Sequence, residues 1–307
     1  MEVGNANKLC PGDGRIRVET NGSGRAILSD LAFSYPLKLM PPRIAASDAR
    51  LSPGLLPLYI LTYGGGLVSG DAVDLKIVID TSCHLVLLTQ GNTKVFRDRP
   101  GSSYLSPPDL TDTSRRLSTS QRITATISPN SSLFLLPSPV VCFERSSYSQ
   151  GQVFYLEDPQ TSSLLLLDWF TSGRLSRGES WAFDKYRSAN EVYIQGKRLF
   201  NDVLLLKGAN DIRRRMGPYV CYCTVIIYGT TLSELLDHFS QLARDFRQYK
   251  RNKPDDILWS YNELEAGLSG IVRCAGAETE TVKMWLETQL EPLREVVGRD
   301  IYKAAFV

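Results

Sequence analysis

Histidine, the side chain that enzymes use most often for acid–base catalysis, is scarce in this sequence of 307 residues. The sequence contains two histidines, His84 and His238, and no His-Glu-x-x-His motif. The segment 66–70 (GLVSG) is not the Gly-x-Ser-x-Gly turn of hydrolases, because its serine stands at the fourth position. We therefore expect no enzymatic activity. The alternative is a hydrolase whose Ser–His–acid triad assembles around His84 from residues distant in sequence.

The cysteines and histidines are also poorly placed to form a metal site. Cys221 and Cys223 would share one face of a strand, but no second pair or nearby histidine completes a tetrahedral set. Cys83 and His84 are adjacent, so on a regular strand they point to opposite faces. A turn at 81–83 would relax that restriction, and His84 is therefore kept as a weak metal-ligand candidate.

The segment 63–71 (YGGGLVSGD) contains four glycines and ends at Asp71. Loops that hold phosphate lie between a strand and a following helix, because the helix N-terminus supplies N–H donors. Here the sequence predicts a strand after the glycines, residue 69 is serine where a third glycine is needed, and no Gly-Lys-Ser/Thr sequence follows. The glycines therefore indicate a backbone bend with positive φ or close packing, not a nucleotide site.

The elements that must position these residues are mostly strands. In the segment 71–80 (DAVDLKIVID), apolar and polar residues alternate, which is typical of a half-buried strand, and similar short segments recur along the chain. Helical spacing of apolar residues appears only from 232 and from about 278 to 290. We predict a single domain over 1–307, with a β body at about 15–230, a helical C-terminal part at about 231–307 and a loop insertion at 98–120.

Composition limits the class of partner. Lys and Arg number 35 against 33 Asp and Glu, which gives no basic surface for nucleic acid or an anionic membrane. The N-terminus lacks a signal-peptide pattern, and no apolar run approaches eighteen residues. The six cysteines are spread along the chain, as expected of reduced thiols. We expect a soluble, cytoplasmic protein without nucleic-acid or membrane partners.

Five motifs follow one another along the chain in a fixed order. They are 63–71 (YGGGLVSGD), 88–97 (LTQGNTKVFR), 136–143 (LPSPVVCF), 168–181 (DWFTSGRLSRGESW) and 214–221 (RRMGPYVC). In order and spacing they resemble the urease accessory protein family UreD, also called UreH, over about 15–300. The insertion at 98–120 departs from the usual bacterial form and suggests a eukaryotic member.

This resemblance implies both a fold and a role. The implied fold is mainly β, an elongated, two-layered, β-helix-like or sandwich body with about two C-terminal α-helices. The implied role is that of a non-enzymatic scaffold and nickel conduit, beside UreF, the GTPase UreG and the urease apoprotein, in maturing the nickel site of urease. Nickel would be cargo in transit, with no permanently bound cofactor.

The resemblance also implies candidate site residues. Asp71, Asp168, Glu179 and Asp202 fall at acidic positions of the family, and Thr93 falls at a small hydroxyl position. Carboxylates suit transit, because oxygen ligands exchange Ni²⁺ readily whereas N and S ligands hold it tightly.

The physical grounds are strongest for Asp168, which follows four leucines and is therefore expected to be partly buried and to need a partner. Its alternative role is an ion pair with Arg174. Asp71 could instead cap a turn, and Glu179 and Asp202 could be ordinary surface or ion-pair groups.

A second function stays open at this point. A β-rich module that binds carbohydrate or protein, without a metal role, is indicated by the strand pattern and by Trp169 and Trp181 near the central motifs.

Overall fold

The computed structural model describes residues 9–43, 48–98, 118–249 and 256–307, without the side chains of 209–210 and 246–249. The predicted loop insertion at 98–120 lies almost wholly outside the described residues.

Strands make up most of the described chain. In chain order they are β1 (Asp13–Thr20), β2 (Ala26–Phe33), β3 (Leu37–Met40), β4 (Leu55–Thr62), β5 (Ala72–Ile79), β6 (His84–Thr89), β7 (Thr93–Val95), β8 (Thr119–Ile127), β9 (Ser132–Leu136), β10 (Val140–Cys142), β11 (Ser147–Leu156), β12 (Ser163–Thr171), β13 (Lys185–Ile194), β14 (Lys197–Lys207), β15 (Cys221–Tyr228), β16 (Ile257–Glu265) and β17 (Ser269–Gly276).

The strands form two sheets. The seven-stranded sheet has the order β14-β13-β11-β8-β5-β1-β2. The ten-stranded sheet has the order β16-β17-β15-β12-β9-β6-β4-β3, with β10 paired to β12 and β7 paired to β10. Neither sheet closes into a barrel.

Between β4 and β13 the chain alternates between the sheets. β5, β8, β11 and β13 pair in parallel in one sheet, while β4, β6, β9 and β12 pair in parallel in the other. Each winding therefore adds one strand to each wall, as in a β-helix. This confirms the predicted mainly β, two-layered, β-helix-like body.

Four of the five described helices cover the outer face of the ten-stranded sheet, whereas the first packs against the core between the two sheets. The described helices are α1 (Ala209–Met216), α2 (Ser233–Tyr249), α3 (Thr279–Gln289), α4 (Leu293–Val297) and α5 (Arg299–Ala305). α2 and α3 are the two predicted C-terminal helices, whereas the three shorter ones were not predicted. The part predicted as helical, 231–307, also contributes β16 and β17 to the ten-stranded sheet.

Two apolar cores result, one between the sheets and one between the ten-stranded sheet and the helices. The leucine run of β12 contributes to both, because Leu164 and Leu166 face the other sheet while Leu165 and Leu167 face the helices. A strand buried on both faces needs no polar alternation, which explains the continuous leucines. All six cysteines are free thiols, as predicted, and five of them are buried.

Candidate functional site

The inner face of the seven-stranded sheet carries a band of polar side chains. Gln150 and Gln152 of β11 lie opposite Ser188 and Asn190 of β13, and Asn190 lies opposite Asp202 of β14. On these strands the inward positions are otherwise apolar or aromatic. The band therefore interrupts the apolar core where the last strands of this sheet pair.

The facing sheet carries a matching band. Asp168 of β12 lies opposite Thr224 of β15, Thr224 lies opposite Arg273 of β17, and Arg273 lies opposite Ser260 of β16. These residues follow one register line, so their side chains share the face turned toward the seven-stranded sheet. We call the two bands together the polar row.

Asp168 is the best-connected member of the polar row. It accepts hydrogen bonds from Gln150 Nε2 at 2.8 Å, Ser188 Oγ at 2.6 Å and Asn190 Nδ2 at 2.7 Å. Burial raises the pKa of its carboxyl group, these three hydrogen bonds oppose that rise, and the negative charge of Asp202 adds to it. Asp168 is thus a partly buried carboxyl group whose described hydrogen-bond donors are all neutral.

Asp202 and Arg273 form an ion pair across the two sheets. The guanidinium Nη2 of Arg273 lies 3.0 Å from Oδ1 of Asp202, with 46% and 27% of the two side chains exposed. The pair joins β14 to β17, which stands next to the edge strand β16 of the other sheet. It therefore stands at the solvent-facing end of the polar row.

Two cavities lie between the sheets and share Asp168 in their walls. The first cavity, of about 380 Å³, is also lined by Thr93, Gln150 and Gln152. The second cavity, of about 450 Å³, is also lined by Asn190, Asp202, Arg273 and other members of the polar row. Asp168 therefore lies where the two cavities meet.

The glycine segment forms part of the rim of the first cavity. Gly64 and Gly65 have φ of 74° and 77°, and both line the cavity. Gly66 lies so close to the neighbouring strand that a Cβ there would be 2.6 Å from the carbonyl oxygen of Lys94. The strand β5 follows, which confirms the predicted bend and leaves no helix N-terminus for phosphate. The glycines thus bring the segments 63–71 and 88–97 together at one opening.

Asp71 closes the glycine bend and lies away from the polar row. Its Oδ2 accepts the backbone N–H of Val68 at 2.8 Å, and its side chain is buried. Burial raises the pKa of Asp71, and the hydrogen bond from Val68 opposes that rise. These contacts are those of the turn-capping alternative.

Glu179 has a structural partner as well. Arg174 donates two hydrogen bonds to it, one from Nε at 2.8 Å and a second from Nη2 to Oε1, and these bonds lower the pKa of Glu179. Arg174 also lies over the ring of Phe143 at 3.8 Å. The alternative ion pair of Arg174 with Asp168 is therefore wrong, because Glu179 and Phe143 already hold the guanidinium.

His84 begins β6 and is not part of either cavity wall. Burial lowers its pKa to about 4, so the imidazole is neutral at physiological pH. Its Nδ1 is buried and has no hydrogen-bond partner among the described residues. The structure does not bring His84 together with the candidate carboxylates.

The two tryptophans that suggested a carbohydrate- or protein-binding module lie in the interior of the protein. Trp169 and Trp181 are 3% and 2% exposed, and Trp169 donates a hydrogen bond from Nε1 to the carbonyl of Pro137 at 2.7 Å. Neither ring is available at the surface to stack on a sugar.

Three of the six predicted site residues, Thr93, Asp168 and Asp202, therefore line the two cavities. Gln150, Ser188, Asn190 and Arg273 were not predicted, although they contact the carboxylates directly. Strand parity was the signal that could have revealed them, since each faces the inter-sheet core from an alternating strand.

The described residues contain neither a ready-made metal cluster nor a membrane-spanning helix. No group of three or more His, Cys, Asp or Glu side chains there is arranged to hold a metal ion. None of the described helices is both long and apolar enough to cross a membrane.

Comparisons with known proteins agree on one family. Residues 12–305 match the family model described as UreD urease accessory protein. The urease accessory protein 4 of Cryptococcus neoformans var. grubii is 36% identical over 299 residues, covering 92% of this chain and 90% of that protein. The urease accessory protein D of Arabidopsis thaliana is 33% identical, covering 94% and 99%. The UreD protein of Sorangium cellulosum is 30% identical, covering 94% and 82%.

Fold and site define a class of two-sheet β protein, wound like a β-helix, in which a polar row contributes to the walls of two cavities between the sheets. Within that class, the chain belongs to the UreD family of urease accessory proteins. Two of the relatives named above come from eukaryotes, a fungus and a plant.

Proposed function

We propose that this protein is a non-enzymatic, cytoplasmic scaffold that conducts Ni²⁺ toward the urease active site during urease maturation. Its partners in this proposal are UreF, the GTPase UreG and the urease apoprotein. Nickel is the cargo, and it passes between the sheets along the polar row. One observation carries the proposal: Asp168, a carboxylate without a cationic partner among its described contacts, lies in the walls of both cavities.

The chemistry of the row suits transit. Its oxygen-bearing side chains are carboxylates, amides and hydroxyls, which bind Ni²⁺ weakly compared with imidazole or thiolate. Asp168 provides a carboxylate in the walls of both cavities, and Gln150 and Asn190 hold it in place. A dication beside this carboxylate would offset the cost of burying its charge, and solvent on either side could complete the ion's shell.

The proposal is tested by replacing Asp168 with asparagine, which keeps the volume and removes the charge. The variant and the unchanged protein would be co-expressed with UreF, UreG and apo-urease, and both complex formation and nickel content of urease would be measured. We expect the complex to form as before and nickel content to fall by about tenfold or more, as for other functionally placed charges.

Asp74→Asn provides the control, since Asp74 is a partly buried carboxylate on β5 that lines neither cavity. Full nickel loading with Asp168→Asn would remove Asp168 from the path. The scaffold role is tested by leaving this protein out of the co-expression. We then expect UreF, UreG and apo-urease not to form a complex, and a complex that forms without this protein would contradict the scaffold part of the proposal.

A further inference from the structure

The second cavity has a positively charged side chain at its outer end, which is unexpected in a path for cations. Arg273 lines this cavity together with Asp202, and its guanidinium is half-exposed at the outer end of the polar row. A guanidinium keeps its positive charge at any physiological pH and repels a dication at short range. Every other charged member of the polar row is a carboxylate.

The ion pair is not explained by stability. Half-exposed ion pairs contribute little to the free energy of folding, because solvent screens the charges and ordering two side chains costs entropy. Removing the pair should therefore leave the fold intact. Its position across the opening between the two sheets needs another account.

We propose that Arg273 closes the cation path in the free protein by occupying Asp202, the outermost carboxylate of the row. With Arg273 in place, Asp202 has no free charge to offer a cation arriving from Asp168, and the guanidinium adds repulsion at the opening. Release of a cation at this end then requires an anionic group that competes for Arg273. A carboxylate on the surface of the protein that receives the cation has the required chemistry.

Asn190 connects the two carboxylates. It donates from Nδ2 to Asp168 at 2.7 Å and lies directly opposite Asp202 in the strand register. A cation leaving Asp168 toward the second cavity therefore meets Asn190 and then Asp202. Asp202 is thus the last carboxylate before solvent, and Arg273 determines whether its charge is available.

This inference rests on the proposed function, and it is tested by a binding measurement on the full chain alone. Ni²⁺ would be titrated calorimetrically into the unchanged protein and into Arg273→Gln, at one pH and one ionic strength. We expect Arg273→Gln to bind Ni²⁺ about tenfold more tightly, because a positive charge has been removed beside Asp202. Arg273→Lys, which keeps the charge, should bind like the unchanged protein.

Arg15→Gln is the matched control. Arg15 and Asp30 form an ion pair with the same 3.0 Å separation and comparable exposure, of 39% and 43%, on the outer face of the seven-stranded sheet. Arg15→Gln should leave Ni²⁺ affinity unchanged. The double variant Arg273→Gln with Asp202→Asn should lose the gain, since the carboxylate that Arg273 covered is gone.

Unchanged Ni²⁺ affinity in Arg273→Gln would overturn the proposal that Arg273 closes the path. A gain in Ni²⁺ affinity that persists in the double variant with Asp202→Asn would also overturn it. The same holds if Arg15→Gln produces an equal gain. The proposed function fails separately: it is contradicted by full nickel loading of urease with Asp168→Asn, whatever Arg273→Gln does. Thermal unfolding of each variant confirms that the compared proteins are folded.

Discussion

The two faces of the ten-stranded sheet differ sharply, although the same strands supply both. The face toward the helices is apolar, with Leu165, Leu167 and Val225 packed under α2 and α3. The opposite face carries Asp168 and Thr224 among its apolar neighbours. The winding of the chain does not require polar groups in the interior, because the helix-covered face has few. The polar row is therefore a local feature of one face, which the packing of the sheet does not itself require.

The largest expected effect is a loss of stability when a cavity is created on the apolar, helix-covered face of the sheet. Phe239 on α2 is fully buried there and stacks on Tyr261 at 5.9 Å. Phe239→Ala should lower the free energy of unfolding by about 3–5 kcal/mol, through lost transfer energy and an unfilled cavity. Denaturant unfolding measures the loss. Ni²⁺ affinity of the folded variant should not change, and a change would mean that the two faces are coupled.

A smaller effect is expected when one donor of the polar row becomes apolar. Gln150→Leu removes the hydrogen bond to Asp168 and leaves that partly buried carboxylate with two of its three donors. We expect a loss of about 1–3 kcal/mol in the free energy of unfolding, the usual cost of an unsatisfied buried acceptor. Gln121→Leu, at a neighbouring position of the first cavity wall, is the control. An equal loss in both would show that Asp168 does not depend on Gln150.

The pH dependence of stability separates the faces further. Because the pKa of Asp168 is raised in the native protein, the native state keeps this proton at a pH where the unfolded chain has lost it. Its contribution to stability is therefore present at acid pH and declines as pH rises from about 4, the usual carboxyl range, through the raised pKa.

The decline amounts to about 1.4 kcal/mol for each unit by which the pKa is raised. Unfolding measured from acid to neutral pH should show this decline in the unchanged protein and not in Asp168→Asn. The same proton competes with Ni²⁺, so binding at Asp168 should weaken as pH falls, beginning at a higher pH than for an exposed aspartate. If the free energy of unfolding varied with pH in the same way in both proteins, the raised pKa of Asp168 would be contradicted.

The smallest effect is expected for Asp168→Asn at neutral pH. Asparagine keeps one acceptor oxygen, and the amides of Gln150 and Asn190 can turn to meet its NH₂ group. We expect a change of less than about 1 kcal/mol in the free energy of unfolding, since losing a buried charge offsets the weaker hydrogen bonds. A loss as large as that of Phe239→Ala would make Asp168 a structural residue.

Much of the fold could be predicted from alternation and glycine placement. The strand at 71–80, the bend before it and the helices beginning near 232 and 278 all have strong local patterns, and the structure has β5, α2 and α3 there. The short helices α1, α4 and α5 were missed because eight residues or fewer show no clear period. The strands β16 and β17 were missed because they lie between two helices in a part read as helical.

The site was less predictable, for a physical reason. A hydrogen-bond donor such as Gln150 or Ser188 carries no charge and belongs to no short motif, so only the strand pairing reveals its contact with Asp168. Asp168 itself was expected to be partly buried, and the structure places it so, on the same face of β12 as Leu164 and Leu166. Asp71 and Glu179 show the limit of reading carboxylates alone, since local partners satisfy both.

The polar row, with Arg273 near its outer end, has a consequence for synthesis of the chain. Its members are brought together from strands as far apart as β11 and β17, and β17 pairs with β15 only once residues 269–276 are available. Because the N-terminal part of a chain leaves the ribosome first, the nascent protein has both walls of the first cavity well before it has the outer end of the second. A polypeptide stopped before residue 269 would therefore lack Arg273 and the rest of the second cavity wall that β17 supplies.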